Sequence, residues 1–94
     1  MPDALETAYG YHIYFWSNEG EPLEAIHVHI SKRPHPNATK YWILSDGALK
    51  QENNNDNIPN NDLKRIINYI SLGRNIEQIK KKWLNHFGVM YFIQ

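Results

Sequence analysis

An α+β domain is the fold class this chain predicts, and three observations predict it. The first half alternates apolar and polar residues with period two. The second half repeats apolar residues at helical spacing. An asparagine-rich stretch separates the two regimes. The predicted architecture is an antiparallel four-stranded meander followed by two helices packed on one sheet face. The apolar C-terminal tail is then a fifth strand (ββββααβ), or an edge element docking on the sheet or on a partner. At 94 residues the chain has room for a single domain over 1–94. Residues 1–8 read as an N-terminal arm, 9–51 as the sheet, 52–61 as a loop, 62–88 as two helices and 89–94 as the tail.

Each element has its own signal. In Tyr11-His12-Ile13-Tyr14-Phe15-Trp16, residues 11, 13 and 15 face one way and 12, 14 and 16 the other. Ser17 to Pro22 is turn chemistry, with Gly20 available for positive φ and Pro22 interrupting any ladder. Ile26-His27-Val28-His29-Ile30 alternates again, its β-branched residues on one face and both histidines on the other. A basic loop, Ser31 to Asn37, leads to a third strand at Thr39–Leu44, and Asp46-Gly47 turns the chain into a short strand at Ala48–Gln51. Residues 52–61 hold most of the asparagines, which compete for backbone hydrogen bonds and favour a connecting loop.

The helical half starts with Leu63, Ile66, Ile67 and Ile70 on one face, with Asn60 or Asn61 as N-cap and Gly73 as a stop. Asn75-Ile76-Glu77-Gln78 resembles a capping box for a second helix, whose apolar stripe is Ile76, Ile79, Trp83, Leu84 and Phe87 and which Gly88 ends. Trp83 falls on that stripe and is expected in the core, while Lys80, Lys81 and Lys82 read as a solvated helix surface.

Composition excludes several classes. At 41% hydrophobic and 13% aromatic the chain is too apolar to be disordered, and its rings let a small core bury useful area. With no Cys, disulfides, thiol nucleophiles and thiolate zinc sites are ruled out. No apolar run approaches the ~20 residues of a membrane span and the first residues are acidic, so the expectation is a soluble, cytoplasmic protein with no membrane partner. Formal neutrality conceals segregation: residues 1–24 carry five acids and no base, 25–45 three bases and no acid, and 63–94 six bases against Glu77. Overall neutrality argues against strong non-specific nucleic-acid binding and leaves room for a small basic site.

The residues that can carry chemistry centre on His27 and His29. Side chains at i and i+2 of a strand project in parallel, and imidazole is both an acid–base group near neutral pH and the commonest metal ligand. The plainest reading is two surface histidines beside Tyr and Trp rings. Sharper readings make them a phosphate- or nucleic-acid-facing pair, or two ligands of a divalent metal that needs a third donor from His12, His35, Glu24 or Asp46. Lys32, Arg33 and Lys40 flank them in sequence, and Lys40 with Trp42 on one strand face would suit a phosphate and a base. The candidate binding set is therefore His27, His29, Lys32, Arg33, Lys40 and Trp42. The candidate catalytic set is His27, His29 and Lys40, and no cofactor is called for. No Gly-rich phosphate loop and no nucleophile elbow is present.

Gly10-x-x-Ile13-Tyr14-Phe15-Trp16-Ser17-Asn18-Glu19, Ile26-His27-Val28-His29, Ala38-x-Lys40-x-Trp42-Ile43, Ile58-Pro59 and Trp83-x-x-x-Phe87 together resemble the bacterial family called domain of unknown function 4160, over roughly residues 9–88. The family's histidine strand usually follows a Pro-Pro pair. Here Leu23-Glu24-Ala25-Ile26 intervenes after Pro22, so the approach to the strand departs from the pattern. The resemblance implies no established activity. It implies short prokaryotic proteins, often encoded beside another small protein in a toxin–antitoxin-like arrangement. The resulting expectation is an interaction module that binds a cognate small protein, or RNA or DNA, through the His/Lys/Arg face. Competing expectations are phosphodiester cleavage by His27/His29, with or without a metal, and homodimerisation through Val89–Gln94.

Overall fold

The computed structural model describes residues 3–17 and 22–93. Seven elements follow in order: β1 (Asp3–Ala8), β2 (Tyr11–Tyr14), β3 (His27–Ser31), β4 (Thr39–Ile43), β5 (Leu49–Asn53), α1 (Asn60–Ile70) and α2 (Gly73–Phe87). The strands form one antiparallel sheet in the order β1-β2-β3-β4-β5, a meander in which every sequence neighbour is a spatial neighbour. The α+β class and the two following helices agree with the sequence. The fifth strand comes from the other end of the chain: residues 3–8, expected as an arm, are β1.

β1 hides from a period-two reading because its pairing with β2 shifts register twice, between Asp3 and Leu5 and between Leu5 and Ala8. Ala4 and Leu5, adjacent in sequence, are therefore both buried. Tyr9 and Gly10 make the turn to β2 with φ of 54° and 83°, the two left-handed positions of a tight hairpin. Asp46-Gly47 behaves as its sequence predicts: Gly47 has φ +87°, and the Asp46 carboxylate accepts the Ala48 amide at 2.9 Å.

The tail does not pair as a strand. It docks, with the Ile26 amide donating to the Tyr91 carbonyl at 2.8 Å, while Met90 and Phe92 pack against the core.

Pairing fixes the faces, since directly opposed residues in an antiparallel sheet point the same way. Ile13 opposes Ile30, Val28 opposes Tyr41 and Ile43 opposes Leu49. This apolar face takes Ile66 and Ile70 of α1 and Ile76, Ile79 and Trp83 of α2 into one core. α1 follows Pro59, with no side chain capping it. Gly73 is the first residue of α2 rather than the stop of α1, and Asn75 is not a cap: it is buried inside α2 and its amide donates to the Tyr69 carbonyl at 2.8 Å. That bond satisfies one of the orphan carbonyls at the end of α1, a use that outweighs capping its own helix. Gly88 ends α2 in the left-handed conformation with its amide on Leu84 O at 2.8 Å, as its sequence position suggests.

The asparagine stretch is a tightly knit loop. Asn54 Nδ2 donates to the Ile58 carbonyl at 3.1 Å, and Asn54 Oδ1 accepts the Ile58 amide at 3.0 Å and the Thr39 hydroxyl at 2.8 Å. Asn55 reaches across to the Asn37 carbonyl at 3.1 Å. Removing the Asn54 carboxamide strands buried partners on both sides of this turn. Asn54→Ala is expected to cost about 2 kcal/mol in urea denaturation; a loss below about 0.5 kcal/mol, the scatter of ordinary surface changes, would contradict the loop's structural role.

Candidate functional site

The register settles which side chains share the histidine face. Tyr14 opposes His29, His29 opposes Lys40 and His27 opposes Trp42, so Lys40 and Trp42 do lie beside the histidines. The two imidazoles sit side by side with ring centroids 5.2 Å apart. This face is not open, however. His27 is fully buried and His29 is 6% exposed. Trp42 and Trp83 pack edge-on against His27 at 5.5 and 5.3 Å, and Tyr14 stacks on His29 at 5.5 Å. Each ring donates from Nδ1 to a carbonyl, His27 to Ala25 at 2.8 Å and His29 to Ala38 at 3.3 Å. A recognition surface made of both rings, expected from pleat geometry alone, is replaced by a second packed layer.

Lys40 and Trp42 form the expected cation–ring pair, with the ammonium 4.2 Å from the indole centroid. The Lys40 charge is already matched by Glu24 at 2.8 Å, and the Trp42 indole N–H donates to Glu52 at 2.9 Å. What stays open here is a pocket of about 290 Å³ that His29 reaches along with Trp16, Asn37, Lys40, Asn53 and Asn55.

Lys32 and Arg33 are elsewhere. They follow β3 and line a separate groove of about 480 Å³ with Tyr11, Ser31, His35 and Asp56. Both are exposed, and neither meets a carboxylate among the described residues. The Lys32 ammonium lies 5.3 Å from the Tyr11 ring centroid. The Ser31 hydroxyl donates to the Arg33 carbonyl at 2.8 Å and accepts the Arg33 amide at 3.1 Å, which fixes the turn that presents both cations.

The groove also holds a pair the sequence reading passed over. His35 Nε2 lies 2.7 Å from Asp56 Oδ1, with the imidazole side chain 44% exposed and the carboxylate 16%. Twenty-one residues separate them, so no local motif announces the contact. The available signals were faint: a histidine between Pro34 and Pro36 in a basic loop, and one aspartate amid a run of asparagines. The metal-ligand candidates also disperse. His12 approaches Asp3 at 3.9 Å, His35 holds Asp56, Glu24 holds Lys40 and Asp46 caps its turn. Among the described residues no three His, Asp or Glu side chains gather as a metal cluster. No described helix is long and apolar enough to cross a membrane.

Three tyrosines around these sites hold their protons more tightly than usual. Burial raises Tyr11, assisted by its 3.1 Å hydrogen bond to Asp62 and by the charges of Asp62 and Asp56. Burial also raises Tyr14, against the opposing hydrogen bond with the His35 backbone, and it raises Tyr41. A folded-state value above the unfolded 10.0 means that this contribution to stability is complete below pH 10 and is lost as pH climbs through the raised values. A phenolate absorbance titration should show Tyr11, Tyr14 and Tyr41 ionising late, with unfolding promoted above pH 10, and Tyr→Phe at each should remove one late proton. All six tyrosines titrating together near pH 10 would contradict this.

No curated protein and no solved structure matches the chain at a significant level. A family model does, the one described as Domain of unknown function (DUF4160), over residues 10–84. That span takes in β2 to β5, α1 and α2 as far as Leu84, the histidine layer and the Lys32/Arg33/His35 groove, and the chain belongs to this family.

Proposed function

We propose that the chain is a small interaction module that binds RNA through the groove of Lys32, Arg33 and His35, within the toxin–antitoxin-like pairing that the family resemblance implies. The observation that carries this reading is the pair of exposed cations, neither meeting a carboxylate among the described residues, held on a fixed turn beside a half-exposed imidazole. Phosphate oxygens are the natural counterpart of such cations, because ammonium and guanidinium groups make charge-assisted bonds to them. The loop is anchored at its far end too. The Tyr14 hydroxyl accepts the His35 amide and donates to the His35 carbonyl, both at 3.2 Å. A pre-ordered loop binds without a further entropy cost for its own folding.

The second pocket lies across the same ridge. The same two loops line both recesses with different residues: Asn37, Asn53 and Asn55 face this pocket, offering amide groups of the kind that meet base edges, while His35 and Asp56 face the groove. A single strand crossing the ridge would place phosphates at Lys32 and Arg33 and a base near Asn37 and Trp16. Formal neutrality limits the reach of the field, so the contact is a local one and is expected to be modest in affinity.

Fluorescence anisotropy with a short single-stranded RNA tests this. Lys32→Gln with Arg33→Gln should weaken binding about tenfold or more and reduce the salt slope by about 2, one for each lost phosphate contact. Lys40→Gln should leave binding near wild type, because its partner Glu24 already matches the charge. Unchanged affinity in the double variant, or an equal loss on changing Lys40, would sink the reading.

A further inference from the structure

We propose that His35 and Asp56 form an acid–base dyad with which this groove cleaves RNA by transesterification, His35 acting as the base and Asp56 positioning it. The inference rests on the RNA-binding reading above and adds a reaction to it. A carboxylate can only accept, so the 2.7 Å contact places the proton of neutral His35 on Nε2 and leaves a lone pair on Nδ1. Nδ1 takes no partner among the described residues.

Both members of the pair are held in place. The Asp56 amide donates to Thr39 Oγ1 at 3.1 Å, whose hydroxyl donates to Asn54 at 2.8 Å, and Tyr14 clamps the His35 peptide from the other side. Such fixing of base and orienting carboxylate is what proton transfer needs.

Among the described residues, both hydroxyls that line the groove are engaged, Tyr11 donating to Asp62 at 3.1 Å and Ser31 to the Arg33 carbonyl at 2.8 Å. The chain has no Cys. With those hydroxyls engaged, the base activates a hydroxyl brought by the substrate, and RNA carries one beside each phosphate. In the step, His35 Nδ1 accepts the 2′-hydroxyl proton while a bond forms from O2′ to phosphorus and the bond from phosphorus to O5′ breaks. The leaving O5′ takes a proton from water, and the resulting hydroxide recovers the proton from the His35 imidazolium. The products are a 2′,3′-cyclic phosphate and a 5′-hydroxyl, with no redox change. Lys32 and Arg33 offset the extra negative charge on the phosphoryl oxygens as the bonds change.

The test is end-labelled single-stranded RNA, and DNA of the same sequence, incubated with the purified protein. RNA should be cut to cyclic-phosphate ends and DNA should stay intact. His35→Ala should abolish cutting even at protein concentrations that saturate RNA binding, and imidazole added to the buffer should restore part of the rate, which a purely structural histidine would not allow. Asp56→Asn should slow cutting about a hundredfold or more in kcat while leaving KM for RNA near wild type, as expected of a group that orients the base rather than holding the substrate. Wild-type protein that binds RNA without cutting it overturns the dyad and leaves the binding reading standing. Protein that does not bind RNA overturns both. Cutting by His35→Ala at the wild-type rate, or DNA cut as fast as RNA, also overturns the dyad.

Discussion

β3 is buried along all five of its residues, and the rest of the molecule follows from that constraint. A strand buried on both sides needs a cover on each, and this chain uses two different materials. The isoleucines of α1 and α2 cover one side. On the other, Tyr14 stacks on His29 and Trp42 packs on His27, and Trp83 of the helix-side core also reaches the His27 ring. Imidazoles are tolerated in such a layer only if their polar atoms are engaged, because an unmet buried donor costs more than its ring contributes. The backbone carbonyls of Ala25 and Ala38 engage the Nδ1–H of each ring. The histidine pair is thereby drawn into holding the sheet together.

Closure of that layer sends the accessible chemistry to the end of the sheet, where the loop after β3 meets the loop after β5. Asn55 to Asn37, His35 to Asp56 and Tyr14 to the His35 peptide join these two loops to each other and to β2. Thr39 at the start of β4 ties in from below through Asn54 and Asp56. The cations Lys32 and Arg33 are thus displayed on one wall of a groove whose other wall is fixed by asparagine side chains. Loops placed by a rigid sheet are the usual location of binding and catalytic groups, and here the rigidity comes from side-chain-to-backbone bonds as much as from the ladder.

Much of the architecture could be read from residue order, because period and turn chemistry are local properties. β2, β3, β4 and β5, the Asp46-Gly47 turn, the buried Trp83 and the Gly88 stop all follow from such signals. β1 could not be read, since its two register shifts break the alternation. Neither could the use of Asn75, which looks like a cap in sequence and serves the end of the preceding helix in space. That His27 and His29 share a face with Lys40 and Trp42 was half readable: pleat geometry pairs the histidines, and only register adds the other two. The burial of His27 draws on Trp83, more than fifty residues away, and that of His29 on Tyr14 of the neighbouring strand, so no local rule predicts either. For the same reason the basic cluster of Lys32, Arg33 and Lys40 divides in two, because β3 ends at Ser31 while Lys40 points back across the sheet to Glu24.

The claim at the centre of this account is that the working surface lies at the joined loops and not on the histidine face or the lysine-rich helix. Chemical-shift mapping of the amide spectrum during titration with a short RNA addresses it most directly. Perturbations are expected to concentrate on residues 31–38 and 53–59, with the outward amides around Lys81 unmoved. Shifts centred on α2, or no shifts at all near Lys32 and Arg33, would contradict it.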